Sequence, residues 1–248
     1  MISKQQIDLV PLVGTNNLTA TAILYARVHH IPLLIELVTS ETSARQSLPG
    51  LHYFWEADIS KQTGIIAISE KLAETTRLQG YDNNLWSRPN PIDETRFYPE
   101  FDKCWHYRKK HTRFLEKDIV MVSVAKFMPQ KNQIFLIEVL KQLPSKFKLV
   151  LAGPVVQSGP LVSRDEEYLV SIHELIEKYD LHDRVVVIMG FVNMAEFIKL
   201  ADIFCMPNYS EGLGTPMLES LACGVPVVAN DEEPAFRQWI NNDTNGYL

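Results

Sequence analysis

Cysteine is scarce in this chain: Cys104, Cys205 and Cys223 are the only three in 248 residues, and they stand far apart. Neither a disulfide framework nor a metal-ligand spacing can be built from them, which points to a reducing compartment. Cys205 and Cys223 sit among apolar residues and read as core fillers. No apolar run is long enough to span a bilayer, and the N-terminus lacks the basic-then-apolar order of a secretion signal. A cytoplasmic protein is therefore expected, with peripheral contact at the cytoplasmic membrane face as the alternative. Basic excess is missing too. A formal charge of −6 argues against a nucleic-acid partner, which requires a basic face. It leaves anionic small ligands open, because local lysines and backbone dipoles govern those. Internal repeats and low-complexity segments are also absent.

What remains is ordinary globular composition, 46% hydrophobic and 22% charged, in a chain long enough for one large domain or two smaller ones. From Asp118 onward, strand and helix alternate. Strands are expected at Ile119–Ala125, Phe147–Ala152, Arg184–Met189, Asp202–Met206 and Val225–Ala229. Between them fall helices at Asn132–Leu143, Glu166–Tyr179, from the Asn193 cap to Leu200, at Pro216–Cys223 and from Glu233. Strands apolar on both faces, joined by crossover helices, imply a covered parallel sheet. The first ninety residues read as part of a second α/β unit. Its strands are expected at Ile7–Val13, Ile31–Val38, Gly64–Ile68 and Leu85–Ser87, with helices at Asn17–His30 and Ser69–Gln79. Arg88-Pro89-Asn90-Pro91 punctuates the chain, so the expected domains are 1–90 and 91–248. Both look incomplete. The first opens directly on a strand, and Asn245-Gly246-Tyr247-Leu248 begins a turn and a new strand.

One stretch carries chemistry. Glu211-Gly212-Leu213-Gly214-Thr215-Pro216 leads into a helix that holds Glu219, eight positions after Glu211. Thr215 suits the N-cap and Pro216 the first helical position. Gly212 and Gly214 allow the backbone to present its amides with no Cβ in the way. Such a loop can hold an anion, since the free N–H groups and the positive end of the helix dipole point the same way. Phosphate for the amides and hydroxyls for the two carboxylates together describe a nucleotide-sugar. Taken alone, the same residues also fit a solvated helix start with surface glutamates.

Several elements in order resemble the large retaining glycosyltransferase family that includes glycogen and sucrose synthases. They are Ala67-Ile68-Ser69, Pro89-Asn90-Pro91-Ile92-Asp93, Arg96-Phe97-Tyr98-Pro99, Val124-Ala125-Lys126 with Lys131, Glu211 with Glu219, and Ala222-Cys223-Gly224-Val225-Pro226-Val227-Val228. The resemblance implies an α/β protein of GT-B type: two Rossmann-like parallel-sheet domains, the N-terminal one on the acceptor side and incomplete, the C-terminal one binding the donor. Carried over, Lys126 and Lys131 contact the donor diphosphate, and the amides of Gly212, Leu213, Gly214 and Thr215 meet diphosphate and sugar. Glu211 holds sugar hydroxyls and Glu219 the ribose. Val192, in the loop Gly190-Phe191-Val192, touches the base. Glu211, Lys126 and Lys131 form the implied catalytic set, acting on the charge that develops as the anomeric C–O bond breaks. No metal and no cofactor are implied, since nothing resembles an Asp-x-Asp site and the lysines take a metal ion's place.

The chain departs from the family in places. Ala125-Lys126 stands where Gly-Arg is frequent, which keeps the charge and loses the bidentate fork. Val38 stands where many members carry a histidine, and the N-terminal glycine-rich loop is absent, so no acceptor-side group is assigned. The implied activity is transfer of a hexose from a UDP-, GDP- or ADP-sugar to a glycan or lipid-linked acceptor with retention. The alternative is a donor-binding fragment or subunit without turnover, one that a partner chain completes; an epimerase of the same layout ranks lower. Two smaller features have plain readings. Trp105–His111 reads as a surface helix, with membrane contact as the rival, and His29-His30 favours a helix C-terminal dipole.

Overall fold

The computed structural model describes residues 7–14, 17–38 and 63–248. They group into two compact units, Met1–Pro91 with Ser210–Leu213, and Ile92–Tyr209 with Gly214–Leu248. The fold is α/β, and each unit is built on a parallel sheet.

In the first unit, β1 (Val10–Val13), β2 (Leu33–Leu37), β3 (Thr63–Ala67) and β4 (Leu85–Ser87) pair in sequence order. Two helices are described there, α1 (Asn17–Val28) and α2 (Glu70–Leu78). Ser69 caps α2 by accepting from the Leu72 N–H. The alternating burial of β2 and β3 follows from the period-two side-chain pattern of a strand with one well-covered face.

The second unit begins with α3 (Cys104–His111) and then runs β5 (Ile119–Val124), α4 (Gln133–Gln142), β6 (Phe147–Gly153), α5 (Val162–Lys178) and β7 (Val185–Met189). It continues through α6 (Met194–Lys199), β8 (Ile203–Met206), α7 (Thr215–Ala222), β9 (Val227–Ala229), α8 (Pro234–Arg237) and β10 (Gly246–Tyr247). The sheet order is β10-β9-β8-β5-β6-β7. Central β5 is apolar on both sides because helices cover both: Val120, Met121 and Val122 are all buried. Phe127, Leu140, Leu149 and Ile172 are fully buried in the core between sheet, α4 and α5. Each contributes roughly 2 kcal/mol of hydrophobic stabilisation.

Chain order makes one position in this sheet special. From β5 the chain steps outward to β6 and β7, then returns to β8 on β5's other side and steps outward again. That reversal leaves a crevice at the carboxyl ends of β5 and β8, where ligands of open α/β sheets bind. The described strands of the first unit contain no such reversal.

Several expectations are corrected. Helix α5 starts at Val162 rather than Glu166, so its first turn carries Arg164 and Asp165. The N-cap of α7 is Gly214, not Thr215; Thr215 is the first helical residue and Pro216 the second. β9 begins at Val227 because Val225 is used to close α7, its N–H reaching the Ser220 carbonyl at 3.1 Å. Asn193 stands at the N-cap of α6, yet its side chain bonds Glu196 Oε1 at 3.2 Å and caps no backbone group. α3 is less superficial than expected. Arg108 is buried and paired with Asp202 at 2.6 Å, and Lys110 and His111 converge on Glu196. No helix among the described residues is long and apolar enough to cross a membrane.

Candidate nucleotide-sugar site

Lys126 and Lys131 both follow β5, and Gly214, Thr215 and Glu219 follow β8, its hydrogen-bonded neighbour. The segments leaving these strands are tied to each other. Tyr209 donates its N–H to the Gln130 carbonyl at 3.3 Å and its hydroxyl to the Pro129 carbonyl at 3.2 Å. Asn132 Nδ2 returns a bond to the Pro207 carbonyl at 3.3 Å. Lys131 thus ends a short 3-10 turn, Pro129–Lys131, anchored on both sides. Asn132 then takes a left-handed conformation (φ 51°), which lets α4 leave at once.

Lys126 is half-buried. Its carbonyl accepts from Gln133 Nε2 at 3.0 Å. Its ammonium lies 3.6 Å from Oδ2 of Asp165, a carboxylate with no solvent exposure. Arg164 holds the other oxygen of Asp165 at 2.9 and 2.7 Å. Lys126 also lines a cavity of about 1040 Å³ with residues 154–158, Glu166 and Leu169 of α5, Met189 at the end of β7, and Gly190 and Phe191 beyond it. Its floor is tight. Gly190 donates to the Gly153 carbonyl at 2.8 Å, and a Cβ on Gly153 (φ 151°) would sit 2.0 Å from the Ala125 carbonyl oxygen. Val192, the residue expected at a base, is partly buried and does not line this cavity, whereas its neighbour Phe191 does and is almost wholly exposed.

Gly214 opens α7 in a left-handed conformation (φ 79°, ψ 50°), and no side chain caps the helix. Pro216 carries no N–H and the Met217 N–H bonds the Gly214 carbonyl at 2.9 Å, so the positive end of the helix dipole, rather than a row of free amides, marks this end of α7. Glu219, one turn on, is half-buried; burial pushes its carboxyl up to about 7, partly offset by the Arg96 charge. Glu211, Gly212 and Leu213 precede Gly214 directly in the chain but group with the first unit. Gly212 and Leu213 are buried and Glu211 partly so.

Within the second unit, then, both lysines and the start of α7 share one end of the sheet. The sequence reading missed Asp165 and the Arg96 influence on Glu219. Asp165 falls just outside the helix expected at Glu166–Tyr179. Its partner Lys126 is a distant residue in the chain that no periodicity connects to it.

Residues 106–248 match the family model described as glycosyl transferases group 1. Among curated relatives, the lipopolysaccharide core biosynthesis mannosyltransferase LpsB of Rhizobium meliloti is 30% identical over 146 residues, 56% of this chain and 38% of that protein. The N-acetyl-alpha-D-glucosaminyl L-malate synthase of Bacillus anthracis is 24% identical over 221 residues, 88% of this chain and 54% of that protein. The crystal structure of Anabaena HepE in complex with UDP and glucose superimposes with a TM-score of 0.80 at 18% identity, covering 97% of this chain and 63% of that one. At that identity the likeness speaks for the fold. The chain spans 38% and 54% of the length of the two curated relatives.

Proposed function

The chain belongs to the group 1 glycosyl transferases, and from that membership we propose that it binds a nucleotide diphosphate sugar and passes its hexose, with retention, to a hydroxyl of a glycan or lipid-linked acceptor. The supporting observation is the grouping of Lys126, Lys131 and the uncapped start of α7 at the carboxyl ends of β5 and β8. UDP beside a sugar in the HepE complex and mannosyl transfer in the name of LpsB are consistent with such a donor.

In this reading the lysines and the Gly214–Thr215 amides meet the diphosphate. As the anomeric C–O bond breaks, the electron pair goes to the departing phosphate oxygen and positive charge grows on the sugar carbon. Cations and fixed amides already in place stabilise that leaving charge without rearranging. They do so in the manner of a metal ion, so transfer is expected to survive chelation. Glu211 receives sugar hydroxyls and Glu219 the ribose, while the cavity beside Phe191 takes the base.

A thermal-shift panel of UDP-, GDP- and ADP-hexoses tests the reading, because a ligand of the native state alone raises apparent stability. One nucleotide series should raise Tm, and a radiolabelled donor should then pass its sugar to a lipid-linked or glycan acceptor. Stabilisation without transfer or donor hydrolysis would leave a donor-binding subunit. No stabilisation by any nucleotide sugar would remove the proposal.

A further inference from the structure

The fully buried carboxylate of Asp165 plays no part in the chemistry above, and its surroundings are unusual. Arg164 bonds Oδ1 twice, at 2.9 and 2.7 Å. Oδ2 is buried and has no hydrogen-bond partner among the described residues, while Lys126 Nζ stands 3.6 Å away. A buried charge needs a counter-charge, because removing one member of such a pair strands the other. The lysine side chain is 39% exposed and borders the large cavity, so it faces solvent and Asp165 together.

We infer that Asp165 is a positioning residue: from within α5 it holds the Lys126 ammonium at the carboxyl end of β5, ready for the donor diphosphate. The inference rests on the donor reading of Lys126. At 3.6 Å the pair is an ion pair rather than a hydrogen bond, so the ammonium is steered while its donors stay available to a ligand. A free lysine has a long flexible stem to immobilise on binding; a lysine steered beforehand loses less freedom. Asp165 also repels a diphosphate. Arg164, bonded at Oδ1, offsets that repulsion.

Lys126→Met, Asp165→Asn and the double variant separate the cases, with binding of UDP and of GDP read by calorimetry. Asp165→Asn should weaken whichever nucleotide the parent binds by about fivefold or more, the range of coupling between contacting residues. In the Lys126→Met background the same change should have no effect. An equal loss in both backgrounds, or unchanged or tighter binding in Asp165→Asn alone, overturns the inference while the donor reading stands. Nucleotide binding untouched by Lys126→Met overturns both. If Asp165→Asn does not fold, Lys126→Met carries the test through its melting temperature. That should drop by several degrees because the buried Oδ2 of Asp165 loses the cation beside it, and a parent-like Tm counts against the pairing.

Discussion

Gly214 lies so close to the Phe236 ring that a Cβ placed on it would come within 2.5 Å of Cε1. Phe236 is fully buried in α8 and cannot retreat, and Gly214 also holds a positive φ of 79°. Both features make glycine necessary at the mouth of α7. Gly214→Ala should cost about 3 kcal/mol or more, combining a left-handed L-residue with an overpacked ring. Urea unfolding measures it; a loss under about 0.5 kcal/mol, the usual surface-substitution range, would mean that the ring yields.

Lys131 and Glu211 carry the proposed chemistry most directly. Lys131→Ala and Glu211→Ala should each lower the transfer rate by about a hundredfold or more, as removal of a single leaving-group or substrate contact does elsewhere. The Lys131 change should leave the fold intact, because Tyr209 and Asn132 hold the 3-10 turn through backbone carbonyls. Parent-like turnover in both variants would dismiss the assignment.

Glu219 gives a pH signature. Burial raises its folded pKa to about 7, so the folded state prefers the protonated form. Its contribution to stability is full below the ordinary carboxylate range near 4.5 and is lost as pH climbs through about 7. Glu219→Gln should therefore stabilise the protein at pH 8, by up to about 3 kcal/mol before solvent screening is discounted, and have little effect near pH 4.5. Nucleotide binding should run the other way. A carboxylate that accepts from both ribose hydroxyls, one at each oxygen, does so only when ionised, so parent affinity should fall on acidification through pH 7 while the glutamine variant stays flat. Identical pH profiles for the two proteins would contradict this account of Glu219.

Arg108 is the strongest structural tie in α3. It is buried, its Nη2 meets Asp202 Oδ1 at 2.6 Å, and its other nitrogens reach the Leu200 and Asp118 carbonyls at 2.8 and 3.2 Å. Arg108→Ala leaves the Leu200 and Asp118 carbonyls without this donor, removes a buried side chain and should cost about 3 kcal/mol or more. Arg108→Lys should recover little, since an ammonium cannot span the same three acceptors. Asp202→Asn should be milder, because Asp202 is 41% exposed and water can replace part of the interaction. Comparable losses in Arg108→Ala and Asp202→Asn would show the ion pair alone to be decisive.

These predictions draw on what the sequence showed and on what it hid. The parallel strands of the second unit were legible because Ile119–Val124 and Phe147–Gly153 are apolar on both faces, a pattern that only a doubly covered sheet satisfies. The lysines and the start of α7 could be placed at one end of that sheet because each follows such a strand. Cap identity was not legible. Thr215 is the better N-cap by preference, but the space beside Phe236 admits only a glycine at the preceding position. The first turn of α5 was hidden because Arg164 and Asp165 look solvated, while their partner comes from the end of another strand. The grouping of Ser210–Leu213 with the first unit has no local signature at all.

The near-contact between Gly153 and Ala125 has a practical consequence for anyone redesigning donor preference. Strand ends meeting at backbone separation leave no room for a new side chain, so mutagenic libraries aimed there will return mostly misfolded clones. Variation belongs instead on Gln157, Ser158 and Phe191, which stand open to solvent and sidestep the packing of the sheet.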